Sequence, residues 1–351
     1  VLNHATGNSP MAKLYWDAAN NRTAADNPWF NVFPTHDFNV FHDFNHESEY
    51  TRYHAKRVMK HWIEEYRVDG YRFDLSKGFT QTNTLGNVGA WGQYDASRIA
   101  IWEMYADYMW SVDPDTYIIL EHFADNSEEE VLADYGMMLW GNINYQYSEA
   151  AKGFDSDISW TDYEQRGWTK AHAVAYMESH DEERVMFRLL NEGNINSSPY
   201  YSTRYILTAL ERIKLATTFF LTVPGPKMIW QFGELGYDIS INQGGRLSPK
   251  PILWNYYNEP PRKEIYDHFS GLAYLKTNYP AVNEGDFVLT QLSGGRLKRI
   301  NISHASMDLV VIGNFDVTGN TLSGEFTRTG RWYDYLTGDS LDVSSVSDPI
   351  Y

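Results

Sequence analysis

Three carboxylates and two histidines in this chain stand where short apolar runs end. VDGYRFD runs into Asp74, TYIILEHF runs through Glu121, and AVAYMESHD closes on His180 and Asp181. Arg72 lies two residues before Asp74, and Asn3 and His4 follow the apolar pair that opens the chain. In parallel α/β architectures, side chains at the carboxyl ends of the strands line the active site. Carboxylates and imidazoles gathered there suit proton transfer and nucleophilic attack. Each residue also has a plainer reading. Asp74 could pair with Arg72 as a structural ion pair, Glu121 could face solvent, and Asp181 could cap a helix starting in SHDEER. Their coincidence at successive strand ends favours a catalytic cluster.

The elements that must carry these residues are legible in the hydrophobic pattern. Between residues 51 and 66, Ala55, Val58, Met59, Trp62, Ile63 and Tyr66 recur at helical spacing and predict an amphipathic helix. A second helix carries Ile101, Trp102, Tyr105, Tyr108 and Met109, with Pro114 beyond its end. A long apolar helix is expected from Tyr205 to Leu221, stopped by Pro224, Gly225 and Pro226, and a last one around Ile265, Phe269 and Leu272. Strands are expected at Leu2, Phe73, Leu120, Trp140, Met177 and Ile229. Their alternation with helices predicts a parallel sheet, and six strands fall short of the eight of a closed (β/α)8 barrel. After about Ala281 the helices stop. LVVIGNF, LSGEFTRTG and GRWYDYLTG predict a separate antiparallel β domain, residues 282–351, of sandwich type.

Composition narrows the partners. The chain has 351 residues and a net charge of −17, which argues against nucleic acid and against an anionic membrane surface. A neutral polysaccharide is not repelled by that charge. The absence of cysteine excludes disulfides, thiolate metal sites and Cys nucleophiles. With 12 Trp and 26 Tyr, aromatics are abundant. Most are expected in the core, and some are expected to line a groove and stack on sugar rings.

Four of the quoted stretches resemble conserved regions of the α-amylase family of glycoside hydrolases. VLNHA is similar to the end of the first region, GYRFDLSK to the second, IILEH to the third and YMESHD to the fourth, in the family's order. The resemblance implies a (β/α)8 TIM barrel over residues 1–281, entered at its third strand, with residues 5–49 as the domain B excursion. It implies a retaining hydrolase of α-1,4-glucosidic bonds in starch- or glycogen-type α-glucans. Asp74 would be the nucleophile, held ionised by Arg72. Glu121 would be the general acid and base, its carboxyl pKa raised by the apolar strand before it. Asp181 would bind sugar hydroxyls in the oxocarbenium-like transition state. His4 and His180 would contact sugar hydroxyls at the cleavage subsite, and Lys77 the sugar on the leaving side.

The chain departs from the family pattern in places. The Asp that opens the first region, and the first two barrel strands, are not in this sequence. Gly78 stands where many members have a His. No cofactor is required by the chemistry. The Asn matching Asn3 is a calcium ligand in many members, so the resemblance implies a structural calcium at Asn3, with oxygen donors such as Asp37 and Asp43 from HDFNVFHDFNHESE. That stretch lacks EF-hand spacing, and its histidines form no H-E-x-x-H pair, which argues against zinc. An α-glucan transglycosylase, such as a branching enzyme, and an inactive glucan-binding fragment are the alternatives. Open sheet edges predict either a further upstream segment or self-association. No signal-peptide architecture opens the sequence, and the compartment stays open, with a secreted or periplasmic one favoured.

Overall fold

The computed structural model of the chain describes residues 3–350, so the strand expected at Leu2 lies outside the described residues. The chain divides into two compact units, one of residues 1–140 and 166–174, the other of residues 141–165 and 175–351.

The first unit opens with a short antiparallel pair, β1 (His4–Ala5) against β2 (His42–Asp43), with His4 opposite Asp43. Helix α1 (Glu49–Tyr66) follows, then β3 (Gly70–Phe73), α2 (Ala96–Val112), β4 (Tyr117–Leu120), α3 (Asn126–Tyr135) and β5 (Met138–Asn142). β3 pairs with β4 in parallel, Phe73 beside Leu120, and β4 pairs with β5, Leu120 beside Leu139. α2 is set by its cap: the Asp95 carboxylate accepts from the N–H groups of Ser97 and Arg98, a bond worth about 1 kcal/mol. In α1 the buried stripe is Thr51, Ala55, Met59 and Ile63, spaced by four. Trp62 and Tyr66, expected on that face, are exposed and pack on each other with ring centroids 4.5 Å apart. The helical period was therefore legible, but the buried stripe is narrower than the apolar one.

In the second unit, α4 (Asn144–Lys152) is followed by β6 (Ala173–Tyr176), which begins in the first unit, then α5 (Val185–Glu192), α6 (Ile206–Thr222), β7 (Lys227–Met228) and α7 (Pro260–Asn278). β6 and β7 pair in parallel, Tyr176 beside Met228. The strands expected at Met177 and Ile229 thus end one residue earlier. From Asp286 onward the described elements are antiparallel strands: β8 (Asp286–Gln291), β9 (Leu297–Ser303) and β10 (Leu309–Asn314) in one sheet, with two smaller pairs beyond. One core joins these strands to the helices, with Tyr147, Leu189, Phe219, Phe269, Ile300 and Phe315 among its members. Buried Arg212 of α6 donates to the carbonyls of Ala150 and Ala151 near the end of α4, to that of Asn314 at the end of β10 and to that of Asp316 beyond it. One guanidinium thereby ties the end of a helix to the end of a strand through their backbone carbonyls.

Candidate active site

At the end of β3, Arg72 holds two carboxylates with one guanidinium. Its Nη1 lies 2.5 Å from Asp74 Oδ1 and its Nη2 lies 2.9 Å from Glu121 Oε1. Parallel register makes this possible: Phe73 sits beside Leu120, so the residues that follow each strand emerge side by side. The second oxygen of Glu121 accepts from the Leu75 N–H at 2.7 Å. Leu75 holds a left-handed backbone, φ 47°, and Phe123 does the same at φ 53°. Left-handed conformations are costly for residues with a branched or bulky side chain, and they cluster where function constrains the chain. Glu121 was expected to be a carboxyl desolvated by an apolar strand. Its side chain is indeed only 14% exposed, with the Arg72 guanidinium and the Leu75 N–H facing it. The ion pair of Asp74 with Arg72 that the plain reading expected is present, and the same guanidinium reaches the second carboxylate.

A buried network holds the loops after β3 and β4. Glu128 of α3 takes a two-pronged ion pair from Arg98 of α2, at 2.6 and 2.7 Å, and contacts His122 Nε2 at 2.6 Å. The other nitrogen of His122 meets the Ser76 hydroxyl at 2.8 Å. Arg98 also donates to the carbonyls of Lys77 and Trp91. Burial works to raise the Glu128 pKa, but the hydrogen bonds from His122 and Arg98 outweigh it and the net shift is downward. His122 directly follows Glu121 and Ser76 lies two residues after Asp74, so the network ties together the two loops that carry them. Sequence reading missed Arg98, His122 and Glu128. Arg98 and Glu128 read in the sequence as ordinary helix charges, and His122 as one more polar residue after a strand.

In the second unit, Asp181 follows β6 and is half exposed. His180 Nε2 lies 3.2 Å from Asp181 Oδ2, and Arg246 Nη2 lies 2.6 Å from the Asp181 carbonyl and 3.3 Å from its Oδ1. Asp181 caps no helix, since α5 begins at Val185 behind Arg184. Arg246, in a glycine-flanked loop, carries no sequence signal.

Two expected contacts sit differently. Lys77 is buried; its Nζ donates to the Phe123 carbonyl at 2.9 Å and lies 4.3 Å from the Trp91 ring centroid. Burial, and then Arg98, push its pKa down. The ammonium thus braces the loop after β4. Asn3 and His4 lie with His36 and Asp43: the ligand atoms of His4, His36 and Asp43 are all within 4.8 Å of one another. Asp37, the other expected oxygen donor, instead accepts from the Gly86 N–H. Calcium takes six to eight oxygens, whereas the side chains gathered at Asn3 are one carboxylate, one amide and two imidazoles. This donor set does not fit calcium.

Comparison with known proteins places the geometry in a family. The profile of the alpha amylase catalytic domain matches residues 21–262. Alpha-amylase 3 of Dictyoglomus thermophilum is 21% identical over 362 residues, covering 92% of this chain and 66% of that protein. A cyclomaltodextrinase of Geobacillus thermopakistaniensis is 23% identical over 240 residues, covering 65% of this chain and 33% of that one. The chain thus spans less than two thirds of either relative. Among solved structures, an Anoxybacillus alpha-amylase has 17% identity and a TM-score of 0.68, covering 99% of this chain and 71% of its own. The alpha-amylase of Geobacillus thermoleovorans, solved with acarbose, has 17% identity and a TM-score of 0.69, covering 99% and 73%. Likeness at this level of identity establishes the fold.

Proposed function

We propose that this chain, which belongs to the alpha-amylase catalytic-domain family of glycosidases, hydrolyses α-1,4-glucosidic bonds in starch- or glycogen-type glucans with retention of configuration. The observation that carries the reading is the Arg72 guanidinium shared by Asp74 and Glu121. Retaining hydrolysis needs an ionised nucleophile and, close beside it, a group that first donates and then recovers a proton. Arg72 pairs with Asp74 and orients it for attack on the anomeric carbon. Glu121 protonates the departing glycosidic oxygen; substrate oxygen entering beside it gives its proton a destination, and the second step returns one from water. Asp181, held by Arg246, accepts hydrogen bonds from sugar hydroxyls that strengthen as positive charge develops on the ring. His4 and His180 are each proposed to contact sugar hydroxyls. The chain is proposed as the part of a TIM barrel that begins at the third strand, followed by a small antiparallel β domain.

The test is incubation with soluble starch, following reducing ends and iodine colour together, with Asp74→Asn as the control. Rapid release of reducing ends, abolished in Asp74→Asn and slowed by acarbose, supports hydrolysis. Loss of colour without reducing ends would assign glucan transfer instead. No change in either would mean a binding fragment.

A further inference from the structure

We infer that the buried cluster of His36, Asp43 and His4, lined by Asn3, is a binding site for a divalent transition metal of zinc type, at the place where the family resemblance implies calcium. The inference does not rest on the glycosidase reading.

Its first support is a set of buried acceptors facing one another. His36 and Asn3 are fully buried and Asp43 is 2% exposed. His36 Nε2, Asp43 Oδ1 and Asn3 Oδ1 all lack a hydrogen-bond partner. The rest of each side chain is satisfied: Asp43 Oδ2 accepts from Asn31 Nδ2 at 2.7 Å, and the Asn3 amide nitrogen donates to the His4 ring. A carboxylate oxygen buried without a partner is costly, and a cation among these three atoms removes that cost.

The second support is the tautomer of His36. Its Nδ1 lies 2.7 Å from the Asp37 carbonyl, which can only accept, so Nδ1 carries the proton. In the neutral imidazole Nε2 is then the lone pair, and it lies 3.4 Å from Asp43 Oδ1. A ring N–H given to a backbone carbonyl with the other nitrogen free is how metal-ligating histidines are held. Donors about 2.0–2.1 Å from a tetrahedral centre stand about 3.4 Å apart, which is the spacing observed. The ring is further fixed by stacking on Trp91, with centroids 4.8 Å apart and planes within 4°.

The third support is Gly78. A Cβ at that position would come within 2.6 Å of His36 Nε2 and within 2.6 Å of the Asn3 amide nitrogen. Any side chain there would enter the cradle, so the glycine that replaces the family's usual His leaves the space that His36 uses. Imidazole selects zinc, copper, nickel or cobalt over calcium. His4 joins the set by turning its acceptor nitrogen from the Asn3 amide, 3.2 Å away, to the metal.

The test uses the full chain, stripped with a chelator and titrated separately with Zn²⁺, Co²⁺ and Ca²⁺. One equivalent of Zn²⁺ should bind and raise the thermal midpoint. Co²⁺ should give the visible absorption of a nitrogen-ligated ion, and Ca²⁺ should do neither at millimolar concentration. His36→Phe keeps a ring on Trp91 but removes the nitrogen; with Asp43→Asn as a second variant, each should weaken Zn²⁺ more than about tenfold. His61→Ala, at an exposed helix position, should leave it unchanged. Calcium binding in preference to zinc, no stoichiometric metal in the parent chain, or zinc affinity unaltered in a folded His36→Phe would each overturn the assignment. The parent titration decides even where a variant does not fold.

Discussion

The backbone N–H of Leu75 donates to Glu121 Oε2 at 2.7 Å, so the loop that carries Asp74 also fixes the carboxylate opposite it. Glu121 is thereby held by backbone as well as by Arg72, which also pairs with Asp74. Such bracing lowers the cost of orienting them when substrate arrives.

The pair should act with retention. A structure with bound oligosaccharide is expected to show the Asp74 and Glu121 carboxyl groups about 5–5.5 Å apart. Product released from an α-glucan should carry the α configuration by NMR before mutarotation. Asp74→Asn should lower turnover by about three orders of magnitude or more while leaving oligosaccharide affinity within a few-fold. Carboxyls about 9 Å apart with a water between them, or a β product, would sink the retaining mechanism.

Glu121→Gln should separate substrates by leaving group. Turnover on glucans, whose leaving sugar needs a proton, should fall far more than glycosylation by activated aryl glycosides. Equal losses on both, with glycosylation rate-limiting, would remove the general acid role from Glu121.

The positions of Asp74, Glu121 and Asp181 were legible because each ends a short apolar run, and strand ends are where a parallel sheet exposes polar groups. The partners of those residues were not legible. Arg98 and Glu128 are 30 positions apart and look like ordinary charges on helix surfaces, yet both are buried. His36 was set aside because the histidines of its stretch form no H-E-x-x-H pair; spacing could not show that the β1–β2 pairing brings Asp43 and Asn3 to it. The narrow stripe of α1 was hidden for a related reason. Periodicity shows which side chains share a face, but the partner decides how much of that face is covered.

Removing Glu128 should be among the most damaging single changes outside the reacting groups. Glu128→Ala leaves the Arg98 guanidinium buried without its carboxylate and frees His122. Breaking a buried pair from one side typically costs about 3–5 kcal/mol. Urea unfolding should show that loss, and kcat should fall with it as the loop after β4 loosens. A change below about 1 kcal/mol would show that the network is not what holds the loop.

Glu178, three residues before Asp181, supplies a pH signature for the second unit. It is buried; Oε1 accepts from the Val185 N–H at 2.7 Å and Oε2 has no partner. Burial pushes its pKa from 4.5 up to about 7, against the opposing pull of Arg184. The folded chain therefore keeps this carboxyl protonated where the unfolded chain has already ionised. A raised acid contributes stability that is complete below pH 4.5 and is lost as pH climbs through about 7. Glu178→Gln keeps the acceptor for Val185 and cannot ionise, so it escapes that loss. Unfolding free energies of the parent and variant, compared from pH 4.5 to pH 8, should diverge in favour of the variant by about 3 kcal/mol. The divergence should be centred between the two pKa values and flat above pH 8. A constant difference across the range would show that Glu178 titrates alike in both states, and that its burial does not hold the proton.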